Sequence, residues 1–257
     1  MKFIPILFST PMIQAIQENR KTQTRRAKGL KEINKTPDIW SRANKPMRSH
    51  NRLWDSSKEE NPNPLSIDFG FNKENTRDVT FVKSKVKPGD IFWVRETWSL
   101  FGWSSMEGFV NIKYKDGTIG HYEPEVEGMD DWLERNIDKL LLKGLLKPDP
   151  TNEENLIFTN DQTLWNPSIF MPKWATRLFL EVTKVRVERL QDISGSDALL
   201  EGIILETGLT NLPAKVSNAK LKFQNLWSDI NGIDSWNANP WVWVYDFKKI
   251  DKPSIFL

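Results

Sequence analysis

A chain of 257 residues, 39% hydrophobic and 27% charged, has the composition of a folded globular protein with one large core or two small ones. It has no cysteine and only two histidines, His50 and His121, which leaves no disulfide framework, no thiolate metal site and no support for a histidine-rich metal centre or a Ser-His-Asp triad. The net charge of +2 conceals an asymmetry: residues 1–52 carry twelve Lys or Arg against three acids, a net of +9, and the remainder is net −7, so a polyanion meets the N-terminal fifth first unless that region is simply a solvated basic loop.

In chain order, the opening apolar run is interrupted by Pro5 and Pro11, and the basic cluster follows it, the reverse of a signal peptide. No stretch approaches the roughly 20 apolar residues of a membrane helix. A soluble cytoplasmic protein with no membrane contact is expected. Met12 to Glu18 has helical spacing, with Thr10 as a candidate N-cap before Pro11. Residues 27–79 are polar, with scattered apolar anchors at Ile39, Trp40, Leu53 and Trp54, and read as a long irregular excursion. Val79–Val82 is a strand and Lys87–Asp90 a turn. Ile91–Trp98 is a second, apolar strand. Phe109–Tyr122 suggests a hairpin around Asp116-Gly117. Trp132–Leu145 is an amphipathic helix, followed by polar sequence through about Asn160.

Asn166–Pro172 leads in extended form into a long alternating stretch over Ala175–Leu190. Asp192–Gly202 is a short helix capped by Ser194 or Ser196 and stopped by Gly202. A further helix covers about Ala214–Ile230, and Trp241–Lys248 alternates as a last strand. The pattern predicts an α+β fold, mostly antiparallel strands around a small barrel with helices at the margins. Twelve tryptophans are present, fit for core and rim packing or, in a few cases, for stacking on bases.

The segment Asn19-Arg20-Lys21-Thr22-Gln23-Thr24-Arg25-Arg26 is similar to the ASCH-domain signature, Gly-x-Lys-x-x-Glu-x-Arg. The Gly89-Asp90 turn, the Leu190–Gly202 segment and the closing Trp241–Phe247 strand fall in that family's order, and the chain resembles the long ASCH-domain proteins of phages and prophages. The resemblance covers about 130 residues in pieces. It implies a PUA-like small β-barrel with flanking helices and a cleft that takes RNA or a nucleotide. The reading is a single domain over 1–257 with insertions at about 27–79 and 104–165. Asn19 stands for the signature Gly, a tolerable change because Asn accepts left-handed backbone. Thr24 stands for the signature Glu, and the resulting Lys-Thr-x-Thr-x-Arg resembles the branch that deacetylates N4-acetylcytidine. By that resemblance Lys21, Thr24 and Glu201 are the catalytic candidates, and an amidohydrolase needing no cofactor or metal is one expected function.

The chemistry is coherent. A Thr hydroxyl attacks an amide only if a base takes its proton, and a lysine is that base only if desolvation or nearby cations lower its pKa. Arg20 and Arg25 can supply the positive field, Arg26 a phosphate or carbonyl clamp, and Glu201 a proton relay. The plainer alternative is an ion pair between Lys21 and Glu201, with Thr24 as a local cap and Arg26 as an exposed basic residue. Arg95 and Glu96 have opposite parity in their strand, so one can face a cleft or both can be salt-bridged. Lys173 beside Trp174 suits a nucleobase or phosphate contact, and packing of Trp174 is the equal alternative. The partner expected is RNA, DNA or a modified nucleoside. A non-catalytic reader of RNA or modified DNA and a protein–protein module with a Trp-rich surface are the rival functions.

Overall fold

A computed structural model of the chain describes residues 1–42, 68–74, 79–104, 106–159, 162–205 and 212–256. His50, Leu53 and Trp54 lie outside them. The strands are β1 (Phe3–Leu7), β2 (Gln23–Arg26), β3 (Trp40–Arg42), β4 (Asp68–Lys73), β5 (Val79–Lys83), β6 (Ile91–Arg95), β7 (Trp98–Ser104), β8 (Phe109–Tyr114), β9 (Ile119–Tyr122), β10 (Leu146–Asp149), β11 (Asn152–Phe158), β12 (Phe179–Arg189) and β13 (Trp241–Ile250). The helices are α1 (Thr10–Gln17), α2 (Met129–Leu142), α3 (Gly195–Leu200) and α4 (Leu212–Asn231). The fold is α+β, as the sequence pattern predicts, and no sheet closes into a barrel among the described residues. The largest sheet has the order β1-β6-β12-β13-β2, and three smaller ones are β3-β4-β5, β7-β8-β9 and β10-β11.

The chain divides into two compact units. The first comprises Met1–Ile4, Met12–Phe92 and Leu180–Ile250. Its core joins Leu190, Ile193 and Ala198 to Ala219, Phe223 and Trp227 of α4 and to Val242 and Val244 of β13. The even positions of β13 thus bury β-branched side chains on one face, as period-two alternation requires. Gly89, at φ +83°, makes the turn before β6. There the fully buried Asp90 carboxylate accepts from the backbone N–H of Lys2 at 2.8 Å and of Lys87 at 3.0 Å. β2 closes the edge of the sheet antiparallel to β13, with Thr24 opposite Tyr245 and Arg25 opposite Val244.

The second unit comprises Pro5–Pro11, Trp93–Phe179 and Asp251–Leu257. β7, β8 and α2 pack Trp98, Leu100, Ile112, Tyr114, Leu133 and Leu140 into its core. β7 carries an irregularity between Leu100 and Gly102 where Phe101 is extruded from the ladder.

Several elements differ from the sequence reading. β1 was hidden because Pro5 interrupts the apolar run, but β1 is an outer strand, where a missing N–H is tolerated. The excursion expected over 27–79 contains β3 and β4 among its described residues. The polar stretch before Asn160 forms the hairpin of β10 and β11.

Candidate functional site

The geometry around Lys21 begins with a turn. α1 ends at Gln17, and two residues on Asn19 takes the left-handed conformation, at φ +58°, that turns the chain. The N–H groups of Arg20 and Lys21 then both donate to the Ala15 carbonyl, at 2.8 and 3.0 Å. This reverses the chain so that Lys21 forms an antiparallel bridge with Glu201, just past α3. α3 is set by Ser194, whose hydroxyl accepts from the Asp197 N–H at 3.0 Å. Gly202, at φ +91°, ends the turn, and a Cβ there would lie 3.0 Å from the Cβ atoms of both Ala15 and Lys21.

Lys21 is 2% exposed and Glu201 5%. Lys21 Nζ donates to Glu201 Oε2 at 2.6 Å and to the Glu201 carbonyl at 2.9 Å. Burial holds the Lys21 pKa below its ordinary value, and the adjacent Glu201 carboxylate works against that shift without cancelling it. The other oxygen of Glu201 accepts from Arg25 Nη1 at 3.0 Å. Arg25 in turn reaches Glu188 Oε1 through Nε at 3.1 Å and Gln23 Oε1 through Nη1 at 2.6 Å, and its guanidinium carbon lies 5.7 Å from the centre of the Phe223 ring.

Above this dry layer lies a half-exposed one. Arg186 Nη1 donates to both oxygens of Asp246 at 2.8 Å, and Arg186 also reaches Glu188 and Asp197, each at 3.2 Å. The side chains of Arg186, Glu188, Asp197 and Asp246 keep between 20% and 27% of their surface accessible. Gln23 Nε2 bridges the strands by donating to Asp246 at 2.7 Å. Arg20, Lys21 and Arg25 are therefore paired with carboxylates of the same unit rather than left as a bare positive field.

The three catalytic candidates are only partly assembled. Lys21 and Glu201 meet. Thr24 is fully buried, and its hydroxyl has no hydrogen-bond partner. It sits between Gln23 and Arg25 in β2, whose side chains bond to each other and so share a face; alternation turns Thr24 to the other face. Arg20 pairs with Glu18 and donates to the Gly202 carbonyl at 3.1 Å. Arg26, half-buried, donates to the Arg25 carbonyl. A depression of about 260 Å³ lies elsewhere in this unit, lined by Gly29–Ile33 and Thr80–Val82, and includes none of the candidates.

Arg95, Glu96, Lys173 and Trp174 belong to the second unit. Glu96 is buried in a paired arrangement, accepting from Arg177 at 2.9 and 2.6 Å, and Arg177 also bonds Asp116. Burial raises the Glu96 pKa, against the pull of Arg177. Arg95, on the opposite face of the strand, lies 4.5 Å from the Trp93 ring centre and donates to the Ile169 carbonyl at 3.0 Å. Lys173 Nζ lies 4.2 Å from the ring centre of Phe256. Trp174 packs edge-on against Trp132 and Tyr122.

Sequence reasoning missed Gln23, Arg186, Glu188 and Asp246. A signal was present: Arg186 and Glu188 are charges two apart in an otherwise alternating strand, and Asp246 ends the apolar even face of β13. Charges so placed need partners. Among the described residues no group of three or more His, Asp or Glu side chains could hold a metal ion. Comparison with protein-family models, curated proteins and solved structures finds no match to this chain.

Proposed function

We propose that the chain is an ASCH-type, PUA-like protein directed at nucleosides or nucleic acid, RNA or DNA, that meets a base on the polar face formed by β2, β12, β13 and α3. The half-exposed layer carries this reading. One guanidinium and three carboxylates, Arg186 with Glu188, Asp197 and Asp246, lie over the buried Lys21–Glu201–Arg25 triad. Three carboxylates answered by Arg186 and, at Glu188 and Asp197, also by Arg25 leave no surplus positive charge for a phosphate at this spot. They suit the edge of a heterocycle that carries amino donors and carbonyl acceptors, because each carboxylate has lone pairs to spare and the guanidinium has a fixed fork of N–H groups. Calorimetric titration with cytidine, guanosine and their acylated derivatives is the test. Binding that weakens about tenfold or more in Asp246→Asn, the loss of one charge-assisted hydrogen bond, is expected. No heat with any nucleoside would overturn the reading.

A second reading, removal of an acyl group from a base such as N4-acetylcytidine, is favoured by two observations. Lys21 has a lowered pKa, and the Thr24 hydroxyl is buried without a partner. The reaction would have Lys21, once neutral, take the Thr24 proton as the hydroxyl attacks the acyl carbonyl and pass it to the N4 amine as the C–N bond breaks; water would then cleave the Thr24 ester to release the acid and restore the hydroxyl. That step requires Lys21 Nζ to leave Glu201 and the Thr24 hydroxyl to be reached from the opposite face of β2. Chromatography of N4-acetylcytidine incubated with the protein decides it: turnover lost in both Lys21→Ala and Thr24→Val supports hydrolysis, and turnover absent from the wild type removes it.

A further inference from the structure

The second unit carries a surface feature that the polar face does not use. Ile169 and Phe170 are 57% and 69% exposed, side by side in a tight turn closed by Pro167 and Pro172. The prolines fix φ on both sides, and Arg95 pins the turn by donating to the Ile169 carbonyl at 3.0 Å. Two cations flank it. Arg95 lies over Trp93 and Lys173 over Phe256, and the Trp93 and Phe256 rings are themselves 6.4 Å apart. Ile255, next to Phe256, is 65% exposed. Neither Arg95 nor Lys173 has a carboxylate partner among the described residues, so their charge is available to a ligand. Exposed apolar side chains scattered singly need no explanation, but three gathered around two unpaired cations mark an interaction surface.

We propose that this patch binds a single-stranded stretch of nucleic acid, with a base stacked on Phe170 and backbone phosphates against Arg95 and Lys173. The inference rests on the nucleic-acid-directed reading above and adds to it a second contact zone. A single strand is favoured over a duplex because its bases are open to a protruding ring without the cost of unstacking. It is favoured over a lipid surface because the two cations lie on aromatic rings, which holds their charge beside the turn as a strand's evenly spaced phosphates require.

Fluorescence anisotropy of the full chain with a labelled oligothymidylate of roughly twelve nucleotides, a length suited to a single-strand site, tests this. Phe170→Ser should weaken binding roughly 5- to 150-fold, the range for loss of one stacked base. Lys173→Gln should flatten the dependence of log affinity on log salt by about 0.7, the value for one phosphate contact. Nucleoside affinity at the polar face should stay unchanged in Phe170→Ser. Oligonucleotide affinity indifferent to both substitutions, with nucleoside binding intact, overturns the patch alone; loss of both kinds of binding in the wild type overturns the two readings together. Binding to phosphatidylglycerol vesicles but not to the oligonucleotide, or Phe170-dependent self-association without it, also overturns the proposal.

Discussion

Glu201 serves two cations at once, Lys21 on one carboxylate oxygen and Arg25 on the other, with little water near any of them. The desolvation of these charges is offset only while all three are present. Glu201→Ala is therefore expected to destabilise the protein by about 3–5 kcal/mol in urea unfolding, since it removes the carboxylate shared by two buried cations. Lys21→Met added to Glu201→Leu should recover much of that loss. The lysine also sets a pH dependence. Its folded pKa lies below its unfolded value near 10.5, so in that interval the unfolded chain binds the extra proton. Stability should therefore rise with pH through the interval and carry the full penalty below it. The difference between wild type and Lys21→Met, followed by melting temperature from pH 7 upward, isolates this contribution from the tyrosines. Tyr114, Tyr122 and Tyr245 act in the opposite sense, because burial raises their pKa values. A flat difference would contradict the burial assigned to Lys21.

Between α3 and β2 the contact depends on two local devices. Ser194→Ala should cost about 1 kcal/mol through loss of the cap on a helix of six residues. Gly202→Ala should cost more, about 1–3 kcal/mol, because a Cβ would combine left-handed strain with a 3.0 Å approach to Lys21 and Ala15. If Gly202→Ala displaces Glu201, nucleoside affinity falls with stability, which calorimetry on the folded variant reads directly. Both devices were legible beforehand, since Ser194 and Gly202 bracket a short helix by ordinary capping rules. So was the pairing of Lys21 with Glu201, though only as the plainer alternative to catalysis. What could not be read is instructive. Lys21, Gln23 and Arg25 looked like part of a basic loop, because the carboxylates that answer them come from positions 163 to 223 residues away. Thr24 was grouped with Lys21 by spacing in a motif, whereas strand alternation separates their faces. Glu96 had a structural salt bridge as its stated alternative, and its partner Arg177 lies 81 residues further on.

At the scale of the molecule, two cores imply two separate sites of vulnerability. Ile193→Ala in the first unit and Ile112→Ala in the second each remove a side chain at most 1% exposed, and each should cost about 2–5 kcal/mol in urea unfolding. The proposed contacts should also respond differently to salt. Nucleoside affinity at the carboxylate-rich face should vary little between roughly 50 and 200 mM salt, whereas oligonucleotide affinity through Arg95 and Lys173 should fall steeply. Titrations at both salt concentrations check this, and equal slopes would mean that one surface serves both ligands. A last consequence concerns the pairing of β2 with β13. The strand has only four residues, and its odd positions carry Gln23 and Arg25 while Thr24 occupies the intervening buried position. Sliding β2 by one residue would invert that order, taking Arg25 off the face it shares with Gln23 and turning the Thr24 hydroxyl toward the carboxylates that Arg25 answers. The ion pairs thus act as a reading frame for the sheet edge: losing or gaining one residue between Asn19 and Gln23 should be far more damaging than a substitution there, because it changes the parity of every side chain that follows.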